Sequence, residues 1–220
     1  MKPTLSALAL LSLCLLVPAA HAADMPAPDM MAPTMATSWD GFYLGGQVGY
    51  GSGLADHTSL VPGNDVSLSG WLLGGKAGYN THISGQFIGG FEGDLNASNI
   101  AGSIPNNNTT TETIQWLGSF TGRLGYDGGQ FMPYVSAGIA FAHAYRTSGI
   151  GGPNNNATAD HVGWTVGAGI EFAAADNLSV DLEARYYDLG SRVYDWTGGG
   201  TNPTIHLTAS TVTAGLNWHF

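Results

Sequence analysis

Between Val162 and Asp188 the chain alternates apolar and non-apolar residues with a period of two. Val162, Trp164, Val166, Ala168, Ile170 and Phe172 are interleaved with Gly163, Thr165, Gly167, Gly169 and Glu171. After the short turn Ala173–Asn177, Leu178, Val180, Leu182, Ala184 and Tyr186 alternate with Ser179, Asp181, Glu183, Arg185 and Tyr187. Such alternation predicts an antiparallel hairpin with one apolar and one polar face. The pattern recurs along the whole chain, and no helical segment is available to cover the apolar side. The arrangement that satisfies it is inverted relative to a soluble sheet: apolar side chains face lipid, and charged ones fill the lumen of a closed barrel.

Six further strands complete the pattern. The first, Trp39–Gly51, sets Phe42, Leu44, Val48 and Tyr50 against Tyr43, Gln47 and glycines. The second, Ser69–Asn80, carries Trp71, Leu73, Ala77 and Tyr79 outward and Lys76 inward. The third, Gln86–Ala97, places Phe87, Phe91 and Leu95 outward, with Glu92 and Asp94 inward. In the fourth, Glu112–Tyr126, Ile114, Trp116, Phe120, Leu124 and Tyr126 oppose Gln115, Ser119, Thr121 and Arg123. Phe131, Val135, Ile139 and Phe141 mark the fifth, Gln130–Arg146, and Val212, Ala214, Leu216, Trp218 and Phe220 mark the last, Thr204–Phe220.

Connections alternate between long and short. Polar loops are expected at Gly51–Leu68, Ser98–Thr111, Arg146–Asp160 and Leu189–Pro203, and short turns at Thr81–Gly85, Asp127–Gly129 and Ala173–Asn177. Short turns on one side and long loops on the other, around an even number of strands, fit an outer-membrane barrel. Each strand reaches the roughly 9 to 11 residues that cross a bilayer at a tilt. Trp39, Tyr50, Tyr79, Tyr126, Tyr186 and Trp218, near strand ends, are expected in the interfacial aromatic girdles.

Composition narrows the picture further. Lys2, the apolar run Leu5–Val17 and the small-residue site Ala20-His21-Ala22 read as a signal peptide over residues 1–22. Cys14, the one cysteine, falls inside it, so the mature chain forms no disulfide. Residues 23–38, rich in Met, Pro and Ala, read as a flexible periplasmic lead-in, and 39–220 as the barrel. The formal charge of -10 and the lack of a basic patch exclude nucleic acid as a partner.

Several motifs carry a family resemblance: Trp39-Asp40-Gly41-Phe42-Tyr43-Leu44-Gly45, Gly78-Tyr79-Asn80, Gly90-Phe91-Glu92-Gly93-Asp94, Arg123-Leu124-Gly125-Tyr126, Gly169-Ile170-Glu171, Glu183-Ala184-Arg185-Tyr186-Tyr187-Asp188 and Trp218-His219-Phe220. In order and spacing they resemble the OmpA-like eight-stranded barrels, and among these the small outer-membrane immunogenic or porin-family proteins of Gram-negative bacteria, some of which are described as haemin-binding. The resemblance implies an all-β, eight-stranded antiparallel transmembrane barrel in the cell outer membrane. Its implied partners are outer-membrane lipid and lipopolysaccharide, and the assembly machinery, for which Phe220 resembles the terminal recognition signal. No peptidoglycan-binding domain follows the barrel, so cell-wall tethering does not carry over.

Lys76, Glu92, Asp94, Arg123, Glu171, Asp181, Glu183 and Arg185 all fall on the inward face. An eight-stranded barrel has room for little beyond its own side chains, so these charges are expected to pair across the lumen as a plug. Asp181 and Glu183 lie among bases with no cleft, and neither they nor His143, Ser148 and Asp160 form a catalytic set; no enzymatic activity is expected. His57, His143, His161 and His206 map to the loop side, where haem or a metal would be the ligand if they converged, but their spacing matches no metal motif and no cofactor is expected. The reading is thus a monomeric structural barrel that contributes to envelope integrity and presents loops to hosts or ligands. A narrow cation-preferring porin and a haemin-binding surface protein are the alternatives.

Overall fold

In a computed structural model, described over residues 38–57, 66–104, 107–148, 155–194 and 204–220, the chain forms eight antiparallel strands and no described helix. The strands are β1 Gly41–His57, β2 Val66–Ser84, β3 Phe87–Ile104, β4 Asn107–Tyr126, β5 Phe131–Ser148, β6 Asn155–Ala175, β7 Leu178–Val193 and β8 Thr204–His219. Each pairs with its neighbours in sequence, and β1 pairs with β8 to close the barrel. Gly85 and Gly129 take positive φ in the tight turns after β2 and β4, where a side chain would be strained. The signal peptide and nearly all of the 23–38 lead-in lie outside the described residues.

Apolar side chains face outward: Phe42, Leu44, Val48, Leu73, Phe91, Leu95, Phe120, Leu182 and Leu216 are all exposed. Tyr50, Tyr126, Tyr186 and Trp218 are exposed among them, as the girdle expectation requires, and the Tyr79 ring packs between Phe42 and Phe91. Trp39 does not join them. It precedes β1, is 0% exposed, and turns inward to pack with Ile88 and Met132, while its Nε1–H donates to the Gly129 carbonyl at 3.2 Å. A side chain ahead of the first ladder pair is free of the strand's alternation and can fold across the barrel mouth.

The strands run well past the expected boundaries, into all four segments read as loops. Their pattern explains why the ends were missed. On β8 the outward residues are Val212, Ala214, Leu216 and Trp218 toward the turn end, but His206, Thr208 and Ser210 toward the loop end. The inward residues change in the opposite sense, from Thr213, Asn217 and His219 to Ile205, Leu207 and Ala209. On β2, likewise, Val66, Leu68 and Leu72 point inward beside outward Ser67 and Ser69. The lower barrel is therefore apolar outside and polar inside, and the upper barrel follows the rule of a water-soluble sheet. The change falls near Tyr50, Trp71, Trp116, Trp164 and Tyr186, a ring of aromatics at the upper edge of the apolar belt.

Above that ring the lumen holds an apolar core. Ala55, Val66, Leu68, Leu72, Ile100, Ile114, Leu117, Ala140, Ala142, Ala144, Tyr187, Leu189, Tyr194, Ile205 and Leu207 are all buried in one cluster. Ile114 was expected on the outer face and Gln115 on the inner. A β-bulge between Ile114 and Trp116 reverses both: Gln115 is the extra residue and is exposed, and Ile114 drops into the core.

Candidate functional site

The lumen below the aromatic ring is the one place where the expected site residues converge. All eight charged residues, Lys76, Glu92, Asp94, Arg123, Glu171, Asp181, Glu183 and Arg185, are buried within it. They form a single connected network. Lys76 Nζ donates to Asp181 Oδ2 at 2.6 Å, and Asn217 Nδ2 bridges Asp181 Oδ2 and Glu171 Oε1 at 2.9 Å each. Arg123 Nη2 donates to Glu171 Oε2 at 3.0 Å, and its Nη1 lies 3.3 Å from Glu92 Oε2. Arg185 gathers the rest: Nη2 donates to Glu92 Oε1 at 3.1 Å and to Glu183 Oε2 at 2.9 Å, and Nη1 donates to Asp94 Oδ2 at 2.7 Å.

Neutral side chains on the remaining strands complete the coordination. From β1, the Tyr43 hydroxyl donates to Glu92 at 2.7 Å and accepts from Arg123 at 2.5 Å; from β5, Ser136 donates to Glu183 at 2.8 Å. Ser119 donates to Asp94, and Asn96 Nδ2 donates to Asp94 Oδ1 at 2.7 Å. The Arg123 guanidinium also stacks 3.9 Å from the Tyr134 ring centroid. Every strand of the barrel thus contributes at least one side chain to the network, which is what a cross-lumen plug demands.

Sequence reasoning missed two features of this plug. His219 from the terminal Trp-His-Phe reaches Glu171 Oε1 at 3.2 Å and Ser179 Oγ at 2.9 Å, adding a fourth basic side chain. The Ser179 hydroxyl already donates to Glu171, so His219 Nε2 must carry the proton in this contact. Its position in the inward half of the β8 alternation was the available signal. The second feature is glycine on the inner wall. At Gly215 a β-carbon would collide with Asp181 and Lys76, so the missing side chain opposite the ion pair makes room for it.

The plug is capped at both ends. Toward the turns, Trp39 packs edge-on to His219, with ring centroids 5.9 Å apart, over Ile88 and Met132. Toward the loops lies the apolar core. Outside the belt at the turn end, His82 Nδ1 sits 2.8 Å from Asp40 and Nε2 sits 3.2 Å from Asp127. The hydrogen bond that the His82 ring makes to the Asp40 carboxylate raises the His82 pKa above its ordinary value, with Asp127 adding to the effect.

The expected histidine set does not assemble. His161 points inward, buried, with Nε2 2.9 Å from the Tyr194 hydroxyl. His143 points outward, stacked on Trp116 and 2.6 Å from Asp160. Asp160 meets it because β6 begins at Asn155, which places the two residues opposite each other in the ladder and not in separate loops. His206 pairs with Ser191 at 3.2 Å; His57 ends β1 opposite Ile205. Among the described residues no group of three or more His, Cys, Asp or Glu side chains is arranged to hold a metal ion. Asp181 and Glu183, the one candidate acid–base pair, are held by Lys76 and by Arg185 with Ser136.

A family model described as outer membrane protein beta-barrel domain matches residues 7–220. The 31 kDa outer-membrane immunogenic protein of Brucella melitensis is 30% identical over 229 residues, covering 91% of this chain and 93% of the relative. The 25 kDa outer-membrane immunogenic protein of Brucella abortus is 34% identical over 197 residues, covering 89% and 85%. The 22 kDa outer membrane protein of Rhizobium leguminosarum is 34% identical over 164 residues, covering 74% and 71%. Among solved structures, Neisserial surface protein A superposes with a TM-score of 0.50 at 16% identity over 81% of this chain and 97% of that one, a likeness of fold.

Proposed function

This chain belongs to the outer-membrane β-barrel protein family, and from that premise we propose that it is a sealed, surface-presenting barrel whose work is structural: it holds envelope integrity and offers an ordered platform to hosts or ligands. It resides in the outer membrane. The observation that carries the proposal is the filling of the lumen in three successive layers: the Trp39 cap, the charge network, and the apolar core. An ion would have to strip its hydration shell, break paired charges and then cross hydrocarbon-like packing. This filling favours a closed barrel over the cation-channel reading, although the inward acids outnumber the bases.

The upper barrel supports the presenting role. On β8 it adds Thr204–Ser210, seven residues of strand above the aromatic ring, or about 23 Å along the strand at roughly 3.3 Å per residue. Its own core makes it a rigid stalk that carries the strand ends beyond the aromatic ring. The test is planar-bilayer conductance of folded protein, with the fold verified by heat-dependent gel mobility. Silence is expected, both for the wild type and after Trp39→Ala, since two layers remain. Reproducible cation-selective steps that change on Arg123→Ala or Glu92→Gln would replace this reading with a small porin.

A further inference from the structure

At the turn end of the barrel a chain of contacts closes into a ring beside the Trp39 cap. Trp39 Nε1 donates to the Gly129 carbonyl at 3.2 Å, and the Gly129 N–H donates to Asp127 Oδ1 at 2.7 Å within the β4–β5 turn. Asp127 Oδ2 lies 3.2 Å from His82 Nε2, and His82 Nδ1 lies 2.8 Å from Asp40 Oδ2. Asp40 follows Trp39 in the chain, which completes the ring. His82 also holds Asp40 through its backbone N–H, 2.6 Å from Oδ1. In the β2–β3 ladder it stands opposite Ile88, against which Trp39 packs.

His82 is the link in this ring whose bonding changes with a proton near neutral pH. Each of its ring nitrogens faces a carboxylate, and a carboxylate only accepts. Imidazolium has an N–H for both. Neutral imidazole has one, and its other nitrogen turns a lone pair toward the second carboxylate. The Asp40 side is the shorter contact and is reinforced by the backbone N–H, so the neutral ring keeps its proton on Nδ1 and gives up Asp127. Asp40, ahead of β1, and Asp127, in the β4–β5 turn, are the charged groups that act on the ring, and both raise its pKa. On the neighbouring elements, β3 places Ile88 opposite it, the Tyr126 hydroxyl donates to Gln86, and His219 of β8 is engaged with Glu171 and Ser179.

We propose that His82 is a proton-operated clasp on the cap: with its proton it ties Asp40 to the turn that carries the Gly129 carbonyl, and without it Trp39 lifts from the barrel mouth more often. The clasp tightens as pH falls. That direction suits the layer beneath, because Glu92, Asp94, Glu171, Asp181 and Glu183 hold the plug together only as carboxylates, and water entering from the turn end has to pass Trp39 first. The Asp127 N–H donates to the Gln86 carbonyl at 2.7 Å whatever the state of His82, so the two turns stay joined and the change is confined to the cap. A partly exposed ion pair shifts an equilibrium by roughly two- to fivefold, and cap opening should change by that factor. The seal itself does not depend on the clasp, since the charge network and the apolar core fill the lumen in both states.

The test is exchange of the Trp39 indole N–H, followed by NMR on folded protein in nanodiscs at pH 5.5 and 8.5, with the signal assigned by its loss in Trp39→Phe. Each variant is compared with the wild type at the same pH, which cancels the intrinsic pH dependence of exchange and any contribution from His219. His82→Gln keeps a polar side chain that can donate to one carboxylate but takes up no proton. It should exchange roughly two- to fivefold faster than the wild type at pH 5.5 and at the same rate at pH 8.5. Asp127→Asn should match it at pH 5.5, because its amide oxygen still accepts from the Gly129 N–H and only the charge facing His82 is lost. The gel-mobility shift confirms that both variants fold. Equal exchange in His82→Gln and wild type at pH 5.5, or the same acceleration at both pH values, would overturn the proposal. Acceleration by His82→Gln without acceleration by Asp127→Asn would also overturn it, leaving His82 as a contact of Asp40 alone. None of these outcomes bears on conductance, so the sealed-barrel reading stands or falls separately.

Discussion

Arg185 is the node on which the lumen network depends. Its guanidinium serves Asp94 at 2.7 Å, Glu92 at 3.1 Å and both oxygens of Glu183 at 2.9 Å, and Nη1 reaches the Ser119 hydroxyl at 2.6 Å. Arg185→Met keeps most of the side-chain volume and removes the charge, leaving three buried carboxylates without their shared cation. Adding up the lost hydrogen bonds would overstate the cost, because the network was itself expensive to desolvate. The relevant figure is that for breaking a buried ion pair by deleting one partner, about 3–5 kcal/mol. A loss in the middle of that range shifts the folding equilibrium by roughly three decades, at about 1.4 kcal/mol per decade. Arg185→Lys should recover only part of it, since an ammonium cannot reproduce the planar fork that spans Glu92, Asp94 and Glu183. Replacing the carboxylates in the same background, as Glu92→Gln, Asp94→Asn and Glu183→Gln, should restore much of the stability, because the penalty comes from uncompensated charge and not from lost packing. The assay is equilibrium urea unfolding of the barrel in phospholipid vesicles, followed by tryptophan fluorescence. A cost below about 1 kcal/mol, the range of solvent-exposed ion pairs, would show that water enters the lumen and screens the charges, and the plug argument would fail.

Three other outcomes follow from the layered architecture. Trp39→Ala should destabilise the barrel by about 3–5 kcal/mol in the same urea assay, the range for a large aromatic deleted from a packed site, whereas Trp218→Ala, a replacement in the exposed girdle, should cost less. Leu216→Arg should cost about 2–4 kcal/mol if it sits at bilayer depth, and Ser210→Arg on the same strand and face should cost almost nothing; equal costs would show that the aromatic ring does not mark the membrane edge. His82, held between Asp40 and Asp127 with a raised pKa, binds its proton more tightly folded than unfolded. The contribution is therefore full below the unfolded pKa of roughly 6.5 and is lost as pH rises through the folded value. Thermal midpoints measured from pH 5.5 to 8.5 should fall more steeply in the wild type than in His82→Gln, and parallel curves would remove His82 from the account.

The strand count, pairing order and inward placement of all eight lumen charges were legible because each rests on alternation, and alternation survives anything that leaves the pleat intact. What escaped was whatever breaks the pleat or leaves it. The Gln115 bulge adds one residue to β4 and so reverses the faces of everything on its loop side, and Ile114 and Glu112 turn inward. No local composition marks such an insertion, since Gln is as acceptable on a strand as in a bulge. Trp39 lies ahead of the first ladder pair, where period-two logic assigns no face. The network's dependence on Asn217 and His219 was present in the alternation of β8, but neutral and weakly basic residues attract less notice than carboxylates and guanidinium groups.

The misplaced loops have a different cause. A search for strands that are apolar outside ends where that pattern ends, and on β8 it ends at Ser210, although the backbone ladder continues to Thr204. Above that point, Ile205, Leu207 and Ala209 continue the alternation in the opposite phase, and the surrounding Thr, Ser and His residues read as loop composition. One strand thus obeys two solvents in turn. Its outer face is apolar where lipid surrounds it and polar where water does, and its inner face compensates each time to fill the lumen. The phase reversal is itself a sequence signal: the residue at which apolar positions switch from one parity to the other marks the membrane surface.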